Sequence, residues 1–277
     1  MRNFLLIILL SGSLILPAQE NCDTRFINHL VNKEDYREAI FLLNRCTGET
    51  DSLNYLKGWS HYALKELEQS TESLLKVSES SEFYFKSMFF AAYNQTYLHN
   101  YSEAQTLLSG LKINRDPIRD LQNFQLAGID LLSNNYSLAK SKLKELETIS
   151  PVLFQPIIDL RNITGELEKH KIKSPALAGV MSAIIPGSGK FYAGKKGEGI
   201  AAFISIFGLG LITWENYHKL GYKNVKTIFF GSLFAANYVS NIYGSVMTTK
   251  IVENDYQNVM QNQILFNMHI PLRNFFD

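Results

Sequence analysis

The sequence lacks a marked excess of charge of either sign. Its 277 residues include 27 lysines and arginines against 26 aspartates and glutamates, which gives a formal net charge of +1. Such a balance provides no overall electrostatic attraction to nucleic acid, although it leaves room for a local basic patch. We therefore expect no nucleic-acid partner.

Recognisable catalytic and metal-binding patterns are also missing. The six histidines are scattered at positions 29, 61, 99, 170, 218 and 269, without His-Glu-x-x-His spacing. No Gly-x-Ser-x-Gly nucleophile motif occurs. We predict a protein without enzymatic activity, cofactor or metal.

A phosphate-binding loop is absent too, although residues 187–190 read Gly-Ser-Gly-Lys. A Walker A loop requires Gly-x4-Gly-Lys-Ser/Thr after a strand. Here Ile184 stands at the first glycine position, Phe191 follows Lys190, and no strand is predicted before the segment. The segment is therefore not predicted to bind a nucleotide.

Long apolar runs are confined to the N-terminus and to residues 175–249. Residues 1–18 combine Arg2 with an apolar core and a Pro17-Ala18-Gln19 cleavage zone, as a secretory signal peptide does. The alternative is an N-terminal membrane anchor. No lipoprotein pattern precedes Cys22. We expect the mature chain to leave the cytoplasm.

Residues 19–168 contain a degenerate repeat. Four segments share one pattern: DYREAIFLL (35–43), LEQSTESLL (67–75), YSEAQTLL (101–108) and YSLAKSKL (136–143). The small residues Ala39, Ser70, Ala104 and Ala139 align with spacings of 31, 34 and 35 residues, and another helical stretch precedes each copy. This period, with two helices per unit, resembles tetratricopeptide repeats. The alternative is an irregular helical domain, and both interpretations predict an all-α fold.

The only two cysteines are Cys22 and Cys46. In the predicted first hairpin, which folds back around residue 34, these positions are equidistant from the turn and lie opposite each other. Export would place them where disulfides persist. We predict a Cys22–Cys46 disulfide worth about 3 kcal/mol, the alternative being two free thiols.

The first helices of such repeats form a concave surface that binds peptides. A partner groove in this chain would need five side chains to converge there: Asn28, His61, Tyr62, Tyr93 and Asn94. A groove filled by the chain itself would instead favour a function located in the membrane.

Residues 169–254 are predicted to form a membrane domain, followed by a tail at 255–277. The segment 175–189 offers only ten apolar residues before Pro186, fewer than the ~20 that cross a bilayer, so we predict an interfacial helix. Spans are predicted at about 197–214 and 226–249, joined by the charged segment ENYHKLGYKN (215–224). The expected architecture is a transmembrane helical hairpin. The alternatives are a third span at 175–193, which would leave the C-terminal tail in the cytoplasm, and a buried globular core.

A glycine-rich motif lies before the first predicted span. It reads Pro186-Gly187-Ser188-Gly189-Lys190-Phe191-Tyr192-Ala193-Gly194, and Asn241-Ile242-Tyr243-Gly244-Ser245-Val246 follows in the second span. The pair resembles small bacterial two-helix membrane domains with a Pro-Gly-x-Gly-x-x-Tyr-x-Gly motif, although Lys190 replaces their usual glutamine. The resemblance implies an envelope protein in which the hairpin is joined to helical repeats, and it implies no defined biochemical activity.

Small and polar residues form stripes along both predicted spans. Ala201, Ser205 and Gly208 share one face of the first, and Asn237, Asn241 and Gly244 share one face of the second. Such stripes allow close helix packing, either within the chain or in a homo-oligomer. No ionisable group lies at mid-membrane, so a transport path is not expected.

These observations together predict a protein of the bacterial cytoplasmic (inner) membrane whose repeats lie in the periplasm. The preferred function is a scaffold that binds a peptide or protein partner in envelope biogenesis. The alternative is a membrane-embedded accessory factor for the insertion or assembly of other membrane proteins.

Overall fold

The structure is a computed structural model that describes residues 22–113, 116–146 and 151–276. Within these ranges the chain folds into thirteen α-helices and contains no strand, so the all-α prediction is confirmed for them. The described chain forms two compact units, residues 22–113 and 116–275. The predicted signal peptide at 1–18 lies outside the described residues.

The first unit consists of three helical hairpins. Its helices are α1 Thr24–Asn32, α2 Tyr36–Leu43, α3 Asp51–Ala63, α4 Leu67–Leu74, α5 Tyr84–Tyr97 and α6 Tyr101–Ser109. The second unit begins with a fourth hairpin, formed by α7 Asp116–Leu132 and α8 Tyr136–Glu145, and continues with α9 Pro151–Lys169. The unit boundary therefore falls inside the predicted repeat region, before its fourth copy.

All four hairpins use the same turn. Each turns at one residue of positive φ, between 62° and 65°: Glu34, Lys65, His99 and Asn134. These residues have the same spacings of 31, 34 and 35 as the small residues of the sequence repeat. The N–H of the next residue donates to a carbonyl five residues back, at 2.9 Å for Asp35 to Leu30 and 2.8 Å for Asn135 to Asp130. This pattern closes a helix with a left-handed residue, so the repeat is real at the level of local structure.

The aligned small residues lie where the second helix of each hairpin is most deeply buried. Their exposed fraction is 0% in every copy: Ala39, Ser70, Ala104 and Ala139. In the second hairpin the Ser70 hydroxyl donates to the Gly58 carbonyl at 2.8 Å. A Cβ added at Gly58 would lie 2.6 Å from the Leu74 side chain. Small side chains therefore permit the close approach of α3 and α4.

The first hairpin is closed by its two cysteines. Cys22 and Cys46 are paired with Cα atoms 5.4 Å apart, within the usual range for a disulfide. The predicted pairing is thus confirmed as a pair at disulfide distance. Beside it, the Asp23 carboxylate accepts the Arg25 N–H at 3.0 Å and caps α1.

The second unit continues with four further helices: α10 Pro175–Ile184, α11 Ser188–Ala193, α12 Lys196–Leu220 and α13 Val225–Phe276. The Ser174 hydroxyl caps α10 by accepting the Leu177 N–H at 3.3 Å, and Pro175 occupies its first position. Residues 188–193, which belong in part to the predicted interfacial segment, form a separate short helix after a turn.

Helix α12 is the one helix in the described chain that is long and apolar enough to cross a membrane. Its most apolar 18 residues have a mean hydropathy of 1.5 and are only 11% buried. Helix α13 does not meet the same composition criterion, since polar residues such as Asn237 and Asn241 interrupt its apolar run.

Helix α13 is continuous over 52 residues, a length of about 78 Å at the usual helical rise. It includes the predicted second span, the predicted boundary at residue 254 and the predicted tail. The predicted connection at 215–224 is mostly the last turns of α12, which leaves residues 221–224 between the two helices. Charged residues such as Lys250 and Glu253 favoured a boundary between the second span and the tail, but the helix continues through them.

Candidate functional site

The glycine motif forms a compact turn between α10 and α12, here called the glycine turn (residues 185–194). Gly187 has φ +84° and Gly194 has φ +96°, conformations that side chains with a Cβ rarely adopt. A Cβ at Gly187 would overlap the Gly199 carbonyl at the start of α12, and one at Gly189 would overlap the Ala178 carbonyl of α10. These glycines allow three helices to approach within backbone contact.

Pro186 and Tyr192 complete the glycine turn. Pro186 directly follows Ile185, the residue that ends α10, and a proline cannot donate the N–H that would continue the helix. The Tyr192 hydroxyl accepts the Ser174 N–H at 3.0 Å, and Lys173 Nζ lies 6.0 Å from the centre of the Tyr192 ring. Tyr192 thus ties the end of the motif to the start of α10.

The two sequence motifs meet through α10. The Ser182 hydroxyl lies 2.7 Å from the Ser245 hydroxyl and accepts the Gly189 N–H at 3.0 Å. The Tyr238 hydroxyl donates to the Ala183 carbonyl at 2.5 Å. One serine of α10 therefore links the glycine turn to the second motif in α13.

Other motif residues of α13 have different surroundings. The Gly244 Cα faces the Lys190 side chain, since a Cβ there would lie 3.9 Å from Lys190 Cε. Asn241 is buried, whereas Tyr243 is 65% exposed. The structure brings Asn241 and Gly244 next to the glycine turn and leaves Tyr243 on the surface of the unit.

The small and polar stripes of α12 and α13 face a common cleft of about 360 Å³, called here the polar cleft. Its polar lining consists of Lys190, Glu198, Ser205, Asn237, Ser240 and Asn241. Asn237 Nδ2 donates to its own helix at the Leu233 carbonyl, 2.9 Å away. Asn241 is only 6% exposed, and its Oδ1 accepts no hydrogen bond from the described residues. Within residues 22–113, 116–146 and 151–276 this acceptor has no hydrogen-bond partner.

The residues predicted to form a partner groove lie in the first unit and have unequal environments. Asn94 is fully buried and donates to the Ser70 hydroxyl at 2.9 Å. His61 is 8% exposed, with Nδ1 2.6 Å from the Glu66 carboxylate. Both belong to seams between helices rather than to an open surface.

The remaining three predicted groove residues are Asn28, which is exposed, Tyr62, which is partly exposed, and Tyr93, which is buried. Burial raises the pKa of Tyr93 well above its usual range. The Tyr62 ring meets the Phe90 ring edge-on at 4.9 Å. Of the predicted set, Tyr62 is the side chain that combines exposure with an aromatic neighbourhood.

An aromatic cluster beside Tyr62 was not singled out from the sequence. Trp59 lies 5.5 Å from Tyr62 and 5.1 Å from Phe90 between ring centres, and Lys86 Nζ lies 4.7 Å over the Trp59 ring. The signal was present as Tyr-x3-Trp-x2-Tyr spacing at 55–62, which places the three rings on one face of a helix.

The first helix of the fourth hairpin is covered by the C-terminal part of α13. Met268 is fully buried, and its side chain occupies the space where a Cβ of Gly128 would be. The Gln125 side chain donates to the Met268 carbonyl at 2.8 Å. The face of α7 that contains Gln125 and Gly128 is therefore filled by the chain itself.

A second link ties α13 to the end of α9. The His170 Nε2 lies 2.9 Å from both Glu253 carboxylate oxygens, and its ring stacks on Tyr256 at 3.8 Å. Burial opposes ionisation of Glu253, but hydrogen bonds from Gln257 and His170 outweigh it and hold its pKa below the usual value. Sequence reasoning had no signal for this pair, since 83 residues separate the partners.

No group of three or more His, Cys, Asp or Glu side chains in the described part of the chain is arranged to hold a metal ion. Comparison of the chain with protein-family models, with curated proteins and with solved structures finds no match.

Proposed function

We propose that the protein is a membrane-anchored envelope scaffold. In this proposal α12 and residues 225–249 of α13 form a transmembrane hairpin. The four helical hairpins are tetratricopeptide-like repeats that lie in the periplasm of a bacterium and bind a peptide or protein partner there.

The observation that supports membrane anchoring most directly is the polarity of α13. Between residues 225 and 249 its buried side chains are polar: Thr227, Asn241, Ser245 and Thr249. Apolar side chains of the same segment are turned outward, with Ile228 56% and Val239 66% exposed. Water would disfavour this arrangement, whereas a hydrocarbon solvent favours it.

The exposed side chains of helix α12 also support a hydrocarbon environment. Large apolar side chains on its surface are 40–64% exposed: Ile200, Phe203, Ile204, Phe207, Leu211, Ile212 and Trp214. An exposed apolar surface of this size on a soluble protein normally marks an interaction site. Lipid contact accounts for its extent all along the helix.

The proposed partner surface is the aromatic cluster of the first unit, Trp59 and Tyr62 with Lys86 over the indole ring. Tryptophan and tyrosine are among the residues that contribute most to the binding energy of protein interfaces. The Cys22–Cys46 pair supports an oxidising compartment for this unit.

One observation favours the second candidate, a membrane-embedded factor for insertion or assembly of other membrane proteins. The face of α7 is filled by Met268 and its neighbours, which removes one repeat from any peptide-binding groove. In that case the repeats would support the membrane domain, and the polar cleft would be the working surface.

A photocrosslinking amino acid placed at Tyr62 or at Ser240 in native membranes distinguishes the two candidates. The scaffold proposal expects one defined periplasmic protein captured from Tyr62. The second candidate expects membrane-protein clients captured from Ser240. Lys33, exposed at the first hairpin turn, is the control position and should capture neither.

Topology is tested separately by cysteine labelling at Lys223 and Asn274 in a background without the native cysteines. Two spans predict that Lys223 reacts from the cytoplasm and Asn274 from the periplasm. Labelling of Asn274 from the cytoplasmic side alone would overturn the topology, and release of the full-length chain by alkaline carbonate would overturn the anchoring itself.

A further inference from the structure

We propose that the polar cleft binds the head group of a zwitterionic phospholipid with a primary ammonium, that is, phosphatidylethanolamine. This inference rests on the membrane embedding proposed above. It assigns the ligand of a site that the packing of α12 on α13 creates.

The first observation is an unsatisfied acceptor within the site. Asn241 lines the cleft, is more than nine-tenths buried, and its Oδ1 accepts no hydrogen bond from the described residues. Its Nδ2 is 3.5 Å from the Ser182 carbonyl, and the Oδ1 atom itself has almost no accessible surface. A buried amide oxygen without a partner costs about 1–3 kcal/mol, and rotation of the Asn241 side chain toward a ligand N–H in the cleft would remove that cost.

The second observation is that two side chains of opposite charge line the cleft. Lys190 comes from the glycine turn and Glu198 from the first turn of α12. Within the described part of the chain, neither has an ion-pair partner within 4 Å. The Lys190 stem lies against Gly244, since Lys190 Cε is 3.9 Å from the position of a Cβ added at Gly244.

These groups match the two charges of a phosphoethanolamine. The Lys190 ammonium would bind the phosphate, and the Glu198 carboxylate would accept from the ligand ammonium. After rotation of its side chain toward the cleft, Asn241 would accept a further N–H from the same ammonium through Oδ1. A choline head group has no N–H to donate, so it would satisfy neither acceptor, and an anionic head group would meet Glu198 unfavourably.

The surroundings of the cleft favour a lipid over a second copy of the chain. The site is concave, and two copies facing each other would not fill each other's hollows. Apolar side chains beside the lining residues in sequence point outward, with Ile204 63% and Ile200 50% exposed, which suits contact with acyl chains. A lipid supplies both a polar head for the cleft and an apolar tail for this surface.

The test is native mass spectrometry of the detergent-purified full-length protein. The protein is mixed with equal amounts of phosphatidylethanolamine, phosphatidylcholine and phosphatidylglycerol of identical acyl chains. We expect the ethanolamine lipid to be retained about tenfold more than either of the others, as loss of one charge-assisted hydrogen bond implies.

Variants K190Q and E198Q should each reduce that preference about tenfold. Both positions are at least partly exposed, so folding is not at risk. The matched controls are K219Q and E215Q, an ion pair at the opposite end of α12, and they should retain the wild-type preference.

Equal retention of the three lipids would overturn the proposal. Preference for phosphatidylglycerol that depends on Lys190 but not on Glu198 would overturn the zwitterionic assignment. A lipid-free dimer, broken by K190E and restored by combining K190E with E198K, would make the cleft an interface between copies instead. If the protein stays in solution without detergent, the membrane proposal itself is wrong. If it requires detergent but shows no lipid preference, only this inference is wrong.

Discussion

The two halves of α13 are built with opposite polarity. In residues 225–249 the buried positions are Thr227, Asn241, Ser245 and Thr249, and the exposed positions are largely apolar. In residues 260–272 the buried positions are apolar: Met260, Ile264, Leu265, Met268, Pro271 and Leu272. The buried side chains of one continuous helix thus change from polar to apolar along its length.

The membrane anchoring proposed above accounts for this difference by a different solvent around each half. Burial of apolar side chains stabilises a helix in water, whereas in lipid the apolar side chains gain nothing by turning inward and polar groups pair with one another. The hydrogen bond between Ser182 and Ser245 is such a pairing. Under the proposed membrane anchoring, the change of solvent would fall between Thr249 and Met260.

The largest loss of stability is expected from a substitution at Gly187. The first half of α13 packs against α10 only if the glycine turn brings α10 into place. G187V requires a β-branched side chain at φ +84° and overlap with the Gly199 carbonyl. We expect a loss of more than about 4 kcal/mol, seen as failure to recover a monodisperse protein in detergent.

The matched control for that variant is G197V. Gly197 has nothing within 4 Å of an added Cβ and lies in the first turn of α12. If G187V were recovered with the same thermal stability as G197V, the glycine turn would not organise the membrane half.

A lysine at an exposed position of each half of α13 tests whether that half faces lipid or water. V239K places a charge on the outer surface of the first half, where we expect a cost of about 2.5–3.5 kcal/mol for insertion. V259K makes the same change at a position 49% exposed in the second half and should change stability by less than about 0.5 kcal/mol.

The measurement is the fraction of each variant that remains in carbonate-washed membranes, together with its thermal unfolding in detergent. Equal effects of V239K and V259K would mean that both halves face the same solvent. That result would remove the main support for the membrane hairpin.

The second half is tested at Met268, which fills the hollow over Gly128. M268A removes a fully buried side chain and should cost about 2–5 kcal/mol of folding stability. Proteolysis should then cut the C-terminal part of α13 more readily. F266A, at a position 62% exposed, is the control and should leave the protease resistance unchanged.

The repeat could be predicted from the sequence because its determinants are local. A buried alanine or serine and a left-handed turn recur at fixed spacing, and each acts within one hairpin. The Cys22–Cys46 pairing followed from the same geometry. Periodic patterns of this kind survive even when most positions vary.

The course of α13 and the packing of its end could not be predicted in the same way. Lys250, Glu253 and Asp255 look like the end of a span, but lysine and glutamate are good helix formers and a charge alone does not stop a helix. Contacts such as Gln125 with Met268 join positions 143 residues apart. Of the predicted groove residues, Asn94 and His61 are polar residues used inside helix seams, which periodicity alone cannot distinguish from a binding face.

The smallest effect expected is a pH dependence at the end of α13. Burial, and secondarily Arg273, lower the pKa of His269 below its usual value of 6.5. The folded chain therefore favours the neutral imidazole, the unfolded chain binds more protons, and stability rises with pH. The contribution of His269 is fully present above pH 6.5 and is lost as the pH falls below it.

Thermal unfolding of the full-length protein and of H269Q at pH 7.5 and pH 5.5 tests this. The wild type should lose more stability over that interval than H269Q, since glutamine does not titrate. The interval stays above the titration of Glu253, whose lowered pKa makes its own contribution vanish only in stronger acid. The difference between the two proteins therefore isolates His269 from the pair that His170 forms with Glu253. An identical loss in both would mean that the second half of α13 is not closely packed around residue 269, and the contrast between the two halves would then rest on Met268 and its apolar neighbours alone.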